Sequence, residues 1–252
     1  MDIQIKSYLR RIKFDGIPEN NYATLRRLQN THLKTVPYEN LDIMRGIPIS
    51  LEIKDLYKKI VTNRRGGYCF ELNGLFTWLL RRLGFKVKEH MARYLRYETE
   101  TPMRKHRVLT VTVKDTNYLC DVGMGASIPL FPLPLILGKV NKQKDAHYKF
   151  EKEDFLGTVL YEWKNSRWRR IYSFTEEEQL NIDYIMPSFY CENHPQSYFR
   201  TMDMVHIFTD NGRKAIAKGE LKIYSPKETE VIVPGSEEIY KKLLNIHFGI
   251  SL

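Results

Sequence analysis

The hydrophobic periodicity of this chain changes twice, and these changes constrain the fold more than any other feature. From Ile3 to Gly84, apolar residues recur at helical spacing in the segments IKSYLRRIKF, YATLRRLQNTHLKT, LEIKDLYKKIV and FELNGLFTWLLRRLG. From Phe85 to Phe174 the spacing becomes alternating, with short runs such as HRVLTVTVK and TVLYEWK separated by turns. The pattern predicts a helical first third followed by antiparallel strands that form a small barrel or a curled sheet.

The last part of the chain mixes both patterns. Asn211-Gly212 is a strong hairpin signal between two alternating runs, and a closing helix is predicted to start near Ser236. The composition, 42% hydrophobic and 28% charged, is ordinary for a globular protein and argues against disorder. We therefore predict an ordered chain divided into residues 1–84, 85–188 and 189–252.

The cysteines and the apolar runs bear on the compartment. Cys69, Cys120 and Cys191 are odd in number and form no CxxC pair, which argues against a disulfide framework and against a cysteine-based zinc site. The longest apolar run, IPLFPLPLILG, is too short to span a bilayer, and the N-terminal segment lacks the apolar stretch of a signal peptide. We expect a cytoplasmic protein that holds no metal and does not enter membranes.

The net charge of +10 indicates a preference for anionic partners. The basic clusters GKVNKQKDAHYK and KNSRWRR lie on predicted loops and hairpin ends, without a recognition helix, zinc finger or RNA-binding signature. We therefore expect no nucleic-acid binding. A solvated basic surface or a small phosphate-bearing ligand accounts for the charge. Coenzyme A would suit such a surface, although no Walker loop and no GxGxxG motif is present.

The segment RRGGYCFELN, residues 64–73, places Cys69 where a thiol can act as a nucleophile. Cys69 follows Gly66-Gly67 and opens the helix that we predict to end at Gly84. Unpaired backbone N–H groups and the positive end of the helix dipole then lie beside the sulfur. Both favour the thiolate over the thiol, whose ordinary pKa is about 8.5. The alternative is a buried structural cysteine, the commonest fate of this residue.

A cysteine nucleophile needs a base, and His106 and Asp121 are the candidates for a base and for the group that orients it. His106 introduces the alternating strand RVLTVTV, and Asp121 ends the next strand, YLCDVG. A loop at residues 114–117 would pair Val113 with Tyr118, which sends both side chains to one face but staggers them by roughly 13 Å. A bulge or a strong twist would then have to bring them together. Taken alone, a histidine such as His106 more often lies on the surface or is hydrogen-bonded in the core, and an aspartate such as Asp121 is more often a turn or cap residue.

Four ordered blocks of the chain resemble the arylamine N-acetyltransferase family of the bacterial type. They are YLRRIKFDG at 8–16, HLKTVPYENLD at 32–42, RGGYCFELN around Cys69 and DVGMG at 121–125, with His106 in KHRVLTV at a similar distance after the cysteine. The resemblance implies an α+β fold with an N-terminal helical bundle, a central antiparallel β-barrel and a C-terminal α/β lid. The bundle and the barrel would form a cysteine-protease-like (transglutaminase-like) catalytic core.

By this resemblance the chain would transfer the acetyl group of acetyl-CoA to aromatic amines or hydrazines in a ping-pong reaction. Cys69, held as a thiolate against protonated His106, would attack the thioester, while Asp121 orients the imidazole. An acetyl-cysteine enzyme results, and His106 is the base when the amine attacks. The backbone N–H of Cys69 would help to hold the oxyanion. The implied partners are small molecules, and the chain would be a monomer or a homodimer.

Supporting residues follow from the same blocks. Arg65 resembles the family arginine that braces the loop before the nucleophile, here by pairing with Glu39 and Asn40. We expect a slot for a flat aromatic amine, lined by Tyr38, Phe70, Met124, Gly125 and the proline-rich run IPLFPLPL at 128–135. Ordinary core and loop packing is the alternative for each of these lining residues.

The chain departs from the family pattern in two places. The family's DVGFGG becomes DVGMGAS, so Met124 replaces an aromatic ring and Ala126 replaces a glycine near the acceptor pocket. In the later Ser-Thr-x-Pro-x-Ser-x-Phe block, Glu192 and Asn193 stand at the first two positions. An acidic Glu192 would repel phosphate, so the acceptor and the coenzyme A contacts stay open.

Two rival functions remain. A thiol hydrolase or a transglutaminase-like acyltransferase would use the same Cys-His-Asp triad with a different donor or acceptor. A non-catalytic basic binding protein on a related fold would have no use for the triad. An acetyl adduct formed on Cys69 by acetyl-CoA would distinguish acetyl transfer from both.

Overall fold

The first third of the chain is helical, as predicted. The computed structural model describes residues 2–125, 128–144 and 146–252. Its helices here are α1 (Ile3–Arg11), α2 (Tyr22–Thr35), α3 (Leu41–Met44), α4 (Ile53–Tyr57, continued by a π-helical turn at Lys58–Thr62) and α5 (Cys69–Arg82). Asp2 and Asn21 cap α1 and α2 by accepting hydrogen bonds from backbone N–H groups of the first turn. The short helix α3 and the strand β1 (Tyr38–Glu39) were not predicted.

Helix α5 is the centre of this helical part. Its apolar residues at helical spacing have no exposed surface: Leu72, Leu75, Phe76, Leu79 and Leu80. Each such side chain contributes about 1.5–3 kcal/mol when it is fully buried. The helix ends at Arg82, two residues before Gly84, whose φ is 84°. This packing fixes α5 in the core and thereby anchors Cys69 at its first position.

An antiparallel sheet of eight strands follows, and it forms a nearly closed barrel. Its strands are β2 (Lys86–Tyr94), β3 (Arg104–Val113), β4 (Thr116–Cys120), β5 (Leu133–Pro134), β6 (Asn141–Gln143), β7 (Ala146–Glu153), β8 (Gly157–Lys164) and β9 (Arg167–Phe174). They lie in the order β5-β4-β3-β2-β9-β8-β7-β6. The two edges approach each other where Leu137 bridges to Phe150 and where the Gln143 side chain bonds the backbone of Phe131.

The last part combines a second sheet with two helices. Its elements are α6 (Ile185–Asn193), β10 (Met204–Thr209), β11 (Gly212–Ala217), β12 (Glu220–Tyr224), β13 (Thr229–Ile232) and α7 (Glu237–Phe248). The predicted hairpin is present, with Thr209 paired to Gly212. Ser236 caps α7 by accepting from Ile239 N. Strand β1 pairs with β10, so the helical part and the last part share a sheet.

Helix α6 was not predicted, although it packs against β3 beside the site described below. Pro187 lies in its first turn, where a missing N–H costs no helical hydrogen bond. Cys191 and Ser188 form its buried face. The fold class is therefore confirmed, while the division at residues 84 and 188 stays a prediction. No helix within the described ranges is long and apolar enough to cross a membrane.

Candidate active site

Cys69 is the first residue of α5 and is 3% exposed. The Glu71 side chain accepts a hydrogen bond from Tyr68 N at 3.1 Å, which closes the first turn of the helix around the cysteine. The Cys69 sulfur lies against β3, with Sγ 3.8 Å from the carbonyl oxygen of Lys105. The helix start thus places the sulfur next to the backbone that leads into His106.

His106 and Asp121 form a buried pair. The Nε2–H of His106 donates to Oδ2 of Asp121 at 2.7 Å, and the two residues are 5% and 3% exposed. The ring of Tyr172 packs against the imidazole, with centroids 5.3 Å apart. Because Nε2 is engaged with Asp121, Nδ1 is the ring nitrogen left for proton transfer.

The register of the β3–β4 hairpin explains this pair and corrects the predicted register. Val113 pairs with Thr116, so the turn has only two residues, 114–115. If the pairing is continued by one residue past Leu109 and Cys120, Asp121 lies opposite Val108. Val108 is two residues from His106 and on the same face of the sheet. Such diagonal neighbours lie about 7–8 Å apart between Cα atoms, within reach of two polar side chains. The predicted stagger of four residues was wrong, and no bulge is needed here.

Asn73 connects the helix to the His–Asp pair, and the sequence reasoning gave it no role. Its Nδ2 donates to Asp121 Oδ1 at 2.9 Å and to the carbonyl oxygen of Arg107 at 2.6 Å. Its Oδ1 accepts from Val122 N at 2.9 Å. Asn73 lies one helical turn after Cys69, so it shares the face of α5 that carries the sulfur. That spacing, within RRGGYCFELN, was the available signal.

Gly123 brings the loop after β4 onto the nucleophile. A Cβ at this position would lie 2.7 Å from Cys69 Cα and 2.6 Å from Asn73 Nδ2, so only glycine fits. The N–H of Gly123 also donates to Asp121 Oδ1 at 2.8 Å, a local turn that fixes the carboxylate. Helix α5, strand β3 and this loop therefore converge on one buried point.

Burial has the largest effect on the pKa of Cys69. It raises the pKa of the Cys69 thiol well above its usual range, and the nearby Cys191 adds to the rise. Hydrogen bonds from the backbone N–H groups of Arg107 and Phe70 act in the opposite direction and do not outweigh burial. The helix start thus acts in the predicted direction, through the N–H of Phe70, but burial outweighs it, and the sequence shows the helix start but not the depth of burial.

A buried charge network braces the loop before Cys69. Arg65 donates from Nε and Nη2 to Glu39 at 2.9 and 3.0 Å, and from Nη2 to Asp42 Oδ1 at 2.8 Å. Lys59 Nζ lies 2.7 Å from both Asp42 and Glu71. Burial acts to lower the pKa of Arg65, but Glu39 and Asp42 outweigh it and raise the pKa. The network ties residues 64–68 to the segment that carries β1.

The predicted pairing of Arg65 with Glu39 is confirmed, whereas its pairing with Asn40 was wrong. Asn40 turns the other way, because its Nδ2 donates to the carbonyl oxygens of Phe199 and Met202 at 2.8 and 2.9 Å. Its Oδ1 accepts from Met204 N at 2.7 Å. Asn40 therefore holds the segment after α6 in place, and Asp42 takes the predicted position beside Arg65.

The glycine pair before Cys69 serves close packing. A Cβ at Gly66 would lie 2.0 Å from the carbonyl oxygen of Pro37, and one at Gly67 would lie 2.8 Å from Oε2 of Glu71. The loop thus needs both glycines to reach strand β1 and the first turn of α5. This is a different reason from the predicted one, an approach of the backbone to a ligand above the sulfur.

Four of the residues predicted to line a substrate slot fall into two groups. Tyr38 and Gly125 are half-buried and touch, since a Cβ at Gly125 would lie 2.9 Å from the Tyr38 ring. Phe70 has no exposed surface, and Met124 is 8% exposed; both belong to core clusters. Phe70 and Met124 therefore lie beneath the surface that Tyr38 and Gly125 border, and the slot itself stays a prediction.

Comparison with known proteins identifies the family. Residues 21–252 match the family model described as N-acetyltransferase. An arylamine N-acetyltransferase of Mycolicibacterium smegmatis is 33% identical over 259 residues, which cover 100% of this chain and 94% of that protein. The chain belongs to the arylamine N-acetyltransferase family. It is therefore an acetyltransferase, as the sequence blocks predicted.

Solved structures of arylamine N-acetyltransferases agree with the fold along nearly the whole chain. The enzyme from Salmonella typhimurium superposes with a TM-score of 0.94 at 28% identity, covering 99% of this chain and 92% of that one. The Mycobacterium marinum enzyme, whose structure is in complex with CoA, gives 0.90 at 31% identity, with 98% and 92% covered. The predicted arrangement of bundle, barrel and lid is thus that of known arylamine N-acetyltransferases.

The departures from the arylamine N-acetyltransferase pattern lie at the end of α6 and after β4. Glu192 is half-buried, and Asn193 turns back onto its own helix, with Nδ2 donating to the carbonyl oxygen of Phe189 at 3.1 Å. Met124 packs in the core next to the loop that covers Cys69. Ala126 lies outside the described residues.

Proposed function

We propose that this acetyltransferase carries the acetyl group on Cys69, between acetyl-CoA and an aromatic amine or hydrazine. The observation that carries the proposal is the 2.7 Å hydrogen bond from His106 to Asp121, buried beside a cysteine at a helix start. A nucleophile, a base and a group that orients the base are the parts that covalent acyl transfer requires.

In the first half-reaction, Cys69 Sγ attacks the carbonyl carbon of the thioester while its proton passes to Nδ1 of His106. Because burial raises the pKa of the thiol, we place the transfer of its proton to His106 together with the attack. The bond from the carbonyl carbon to the coenzyme A sulfur then breaks, and His106 returns the proton to the leaving thiolate. The products are acetyl-Cys69 and coenzyme A.

In the second half-reaction, the amine nitrogen attacks the acetyl carbon and gives its proton to His106. The bond from the acetyl carbon to Sγ breaks, and the Cys69 thiolate recovers that proton. The amide leaves, and the enzyme regains its first state. One base thus serves both halves, as expected for a ping-pong exchange in a single site.

Asp121 and the start of α5 supply the electrostatic support. Asp121 holds His106 in the tautomer with Nδ1 free, and it stabilises the imidazolium that forms in each half-reaction. The N–H of Cys69 has no acceptor among the described residues, which makes it available for the oxyanion. Losing one such donor typically costs about 10²–10³ in rate.

Acetyl-CoA as the donor is supported by two facts. The Mycobacterium marinum relative has been solved in complex with CoA. The net charge of +10 suits a donor that carries phosphate groups. The natural acceptor is proposed only as a class, because Tyr38 and Gly125 define a border without selecting one amine.

Steady-state kinetics with both substrates varied test the proposal. We expect parallel lines in double-reciprocal plots and little loss of acetyl-CoA when no amine is present. Asp121→Asn should lower kcat/KM by at least about 100-fold, because the tautomer is no longer fixed. The matched control is Asp115→Asn, at the exposed turn of the same hairpin, which should keep full activity. Intersecting lines would contradict acetyl transfer through the enzyme, and acetyl-CoA hydrolysis as fast as transfer would favour the rival thiol hydrolase.

A further inference from the structure

A second cavity lies away from Cys69, between α2 and the end of the barrel where its edges meet. Its volume is about 410 Å³, within the range of small-molecule sites. It is lined by Tyr22, Arg26, Phe131–Pro134 and Asn141–Lys144. Phe131–Pro134 belong to the run predicted to line the acceptor slot, but here they line a cavity that includes neither Tyr38 nor Gly125 nor the residues of the proposed acetyl transfer.

The charged side chains that line this cavity are all cationic: Arg26, Lys142 and Lys144. All three are exposed at the rim. Within residues 2–125, 128–144 and 146–252, neither Arg26 nor Lys142 has a carboxylate within salt-bridge distance. Lys144 donates only to the carbonyl oxygen of Asp210, at 2.9 Å. Arg26 and Lys142 therefore present positive charge that the described residues do not neutralise, whereas Lys144 also lies near the carboxylate of Asp210 and lowers its pKa.

Aromatic rings form part of the wall. Phe131 and Tyr22 are half-buried, and the Arg26 guanidinium stacks over Phe131, 3.9 Å from its centroid. The Tyr22 ring stacks on Tyr118, with centroids 4.7 Å apart. A planar ring entering the cavity would thus meet half-buried aromatic side chains beside the cations.

The walls are held in place before any ligand binds. Gln143 clamps Phe131 by accepting from its N–H at 3.0 Å and donating to its carbonyl oxygen at 2.8 Å. Tyr22 donates from its hydroxyl to the carbonyl oxygen of Pro132 at 3.3 Å. A preorganised site loses little conformational entropy on binding.

We infer that this cavity binds a nucleotide, a ligand that combines a planar aromatic base with phosphate groups. Three converging cations suit a multiply charged anion, in which Arg26 can bind phosphate through two N–H groups. The half-buried rings and the proline-rich wall suit the base. The site is separate from the Cys69 chemistry and does not depend on the proposed acetyl transfer.

Isothermal titration with ADP tests this inference on the full chain. The titration is performed without coenzyme A, because coenzyme A itself contains an adenine nucleotide and would compete for the cavity; the cavity variants separate this site from any donor site. We expect ADP to bind under these conditions, and its Kd to rise about tenfold in Arg26→Gln and in Lys142→Gln. Lys139→Gln is the matched control, an exposed lysine near the same loop that does not line the cavity, and its Kd should not change.

Further probes separate the two parts of the ligand. Pyrophosphate should bind more weakly than ADP, and binding of both should weaken as salt is added. Absence of ADP binding, or an unchanged Kd in both cavity variants, would overturn the inference. Equal affinity for pyrophosphate and ADP would overturn the role of the aromatic wall.

Discussion

Replacing Arg65 with alanine tests whether the buried charge network holds the nucleophile loop. The Arg65 side chain is 12% exposed, and its partner Glu39 has no exposed surface. Removal of the guanidinium leaves the Glu39 carboxylate with backbone donors only, at Gly66 and Leu41. Breaking a buried pair by removing one partner costs about 3–5 kcal/mol.

The chain offers a matched exposed pair. Arg82 contacts Asp2 with side chains that are 51% and 31% exposed, so Arg82→Ala should cost less than about 1 kcal/mol. The difference between the two variants should then be at least about 2 kcal/mol. Arg65→Lys should fall between them, because an ammonium cannot replace the two-pronged contact of the guanidinium.

Urea denaturation at pH 7, followed by far-UV circular dichroism, measures these differences. The slope of unfolding free energy against urea should be the same in all variants, so that the midpoints report stability alone. Acetyl transfer in Arg65→Ala should fall further than its folded fraction explains, since residues 64–68 lose their brace. Equal stability of Arg65→Ala and Arg82→Ala would refute the reasoning.

Three more perturbations probe the site and the core. Asn73→Leu removes three buried hydrogen bonds, so it should lower the free energy of unfolding by about 3 kcal/mol or more and kcat/KM at least tenfold. Its control is Thr77→Val, because Oγ1 of Thr77 has no partner among the described residues. In urea denaturation this control should lose less than about 1 kcal/mol. Gly123→Ala places a methyl group 2.7 Å from the Cα of the nucleophile, so it should lower the free energy of unfolding by about 1–3 kcal/mol and abolish activity. Gly235→Ala, whose added Cβ would have no atom within 4 Å, should change neither stability nor activity. Burial lowers the pKa of His32 to about 3. Below about pH 6.5 the imidazole of the unfolded chain therefore binds a proton, whereas that of the folded chain does not. Stability is therefore lost as the pH falls, and this ring should account for about 2 kcal/mol of the decrease between pH 7 and 5, a part that is missing in His32→Gln.

The periodicity predicted most of the fold because most of the elements bury one face. The apolar spacing of Leu72 to Leu80 indicates a helix, although α5 is buried on all sides from Cys69 to Thr77, and the alternation in β3 indicates a strand in a barrel wall. Helix α6 was missed because it is apolar on several sides and begins with a proline in its first turn. Neither apolar residues on several sides nor this proline identifies a helix from a single sequence.

Errors at the site have two causes, an unrecognised turn and contacts between distant segments. The β3–β4 turn has no Asn-Gly or Asp-Gly pair, so its length of two residues could not be recognised and the register was set wrongly. The pKa of Cys69, the partner of Arg65 and the depth of Phe70 depend on contacts between distant segments. Residue type and spacing indicate which groups can do the chemistry, whereas three-dimensional packing decides which groups meet.

Intact mass spectrometry of the protein mixed with acetyl-CoA alone tests the central claim most directly. We predict a mass gain of one acetyl group, located by peptide mapping on Cys69 and absent in Cys69→Ser, and its loss when an arylamine is added. Cys120 and Cys191 should stay unmodified. An enzyme that acetylates an arylamine without ever carrying the acetyl group, or that carries it at another residue, would contradict the account.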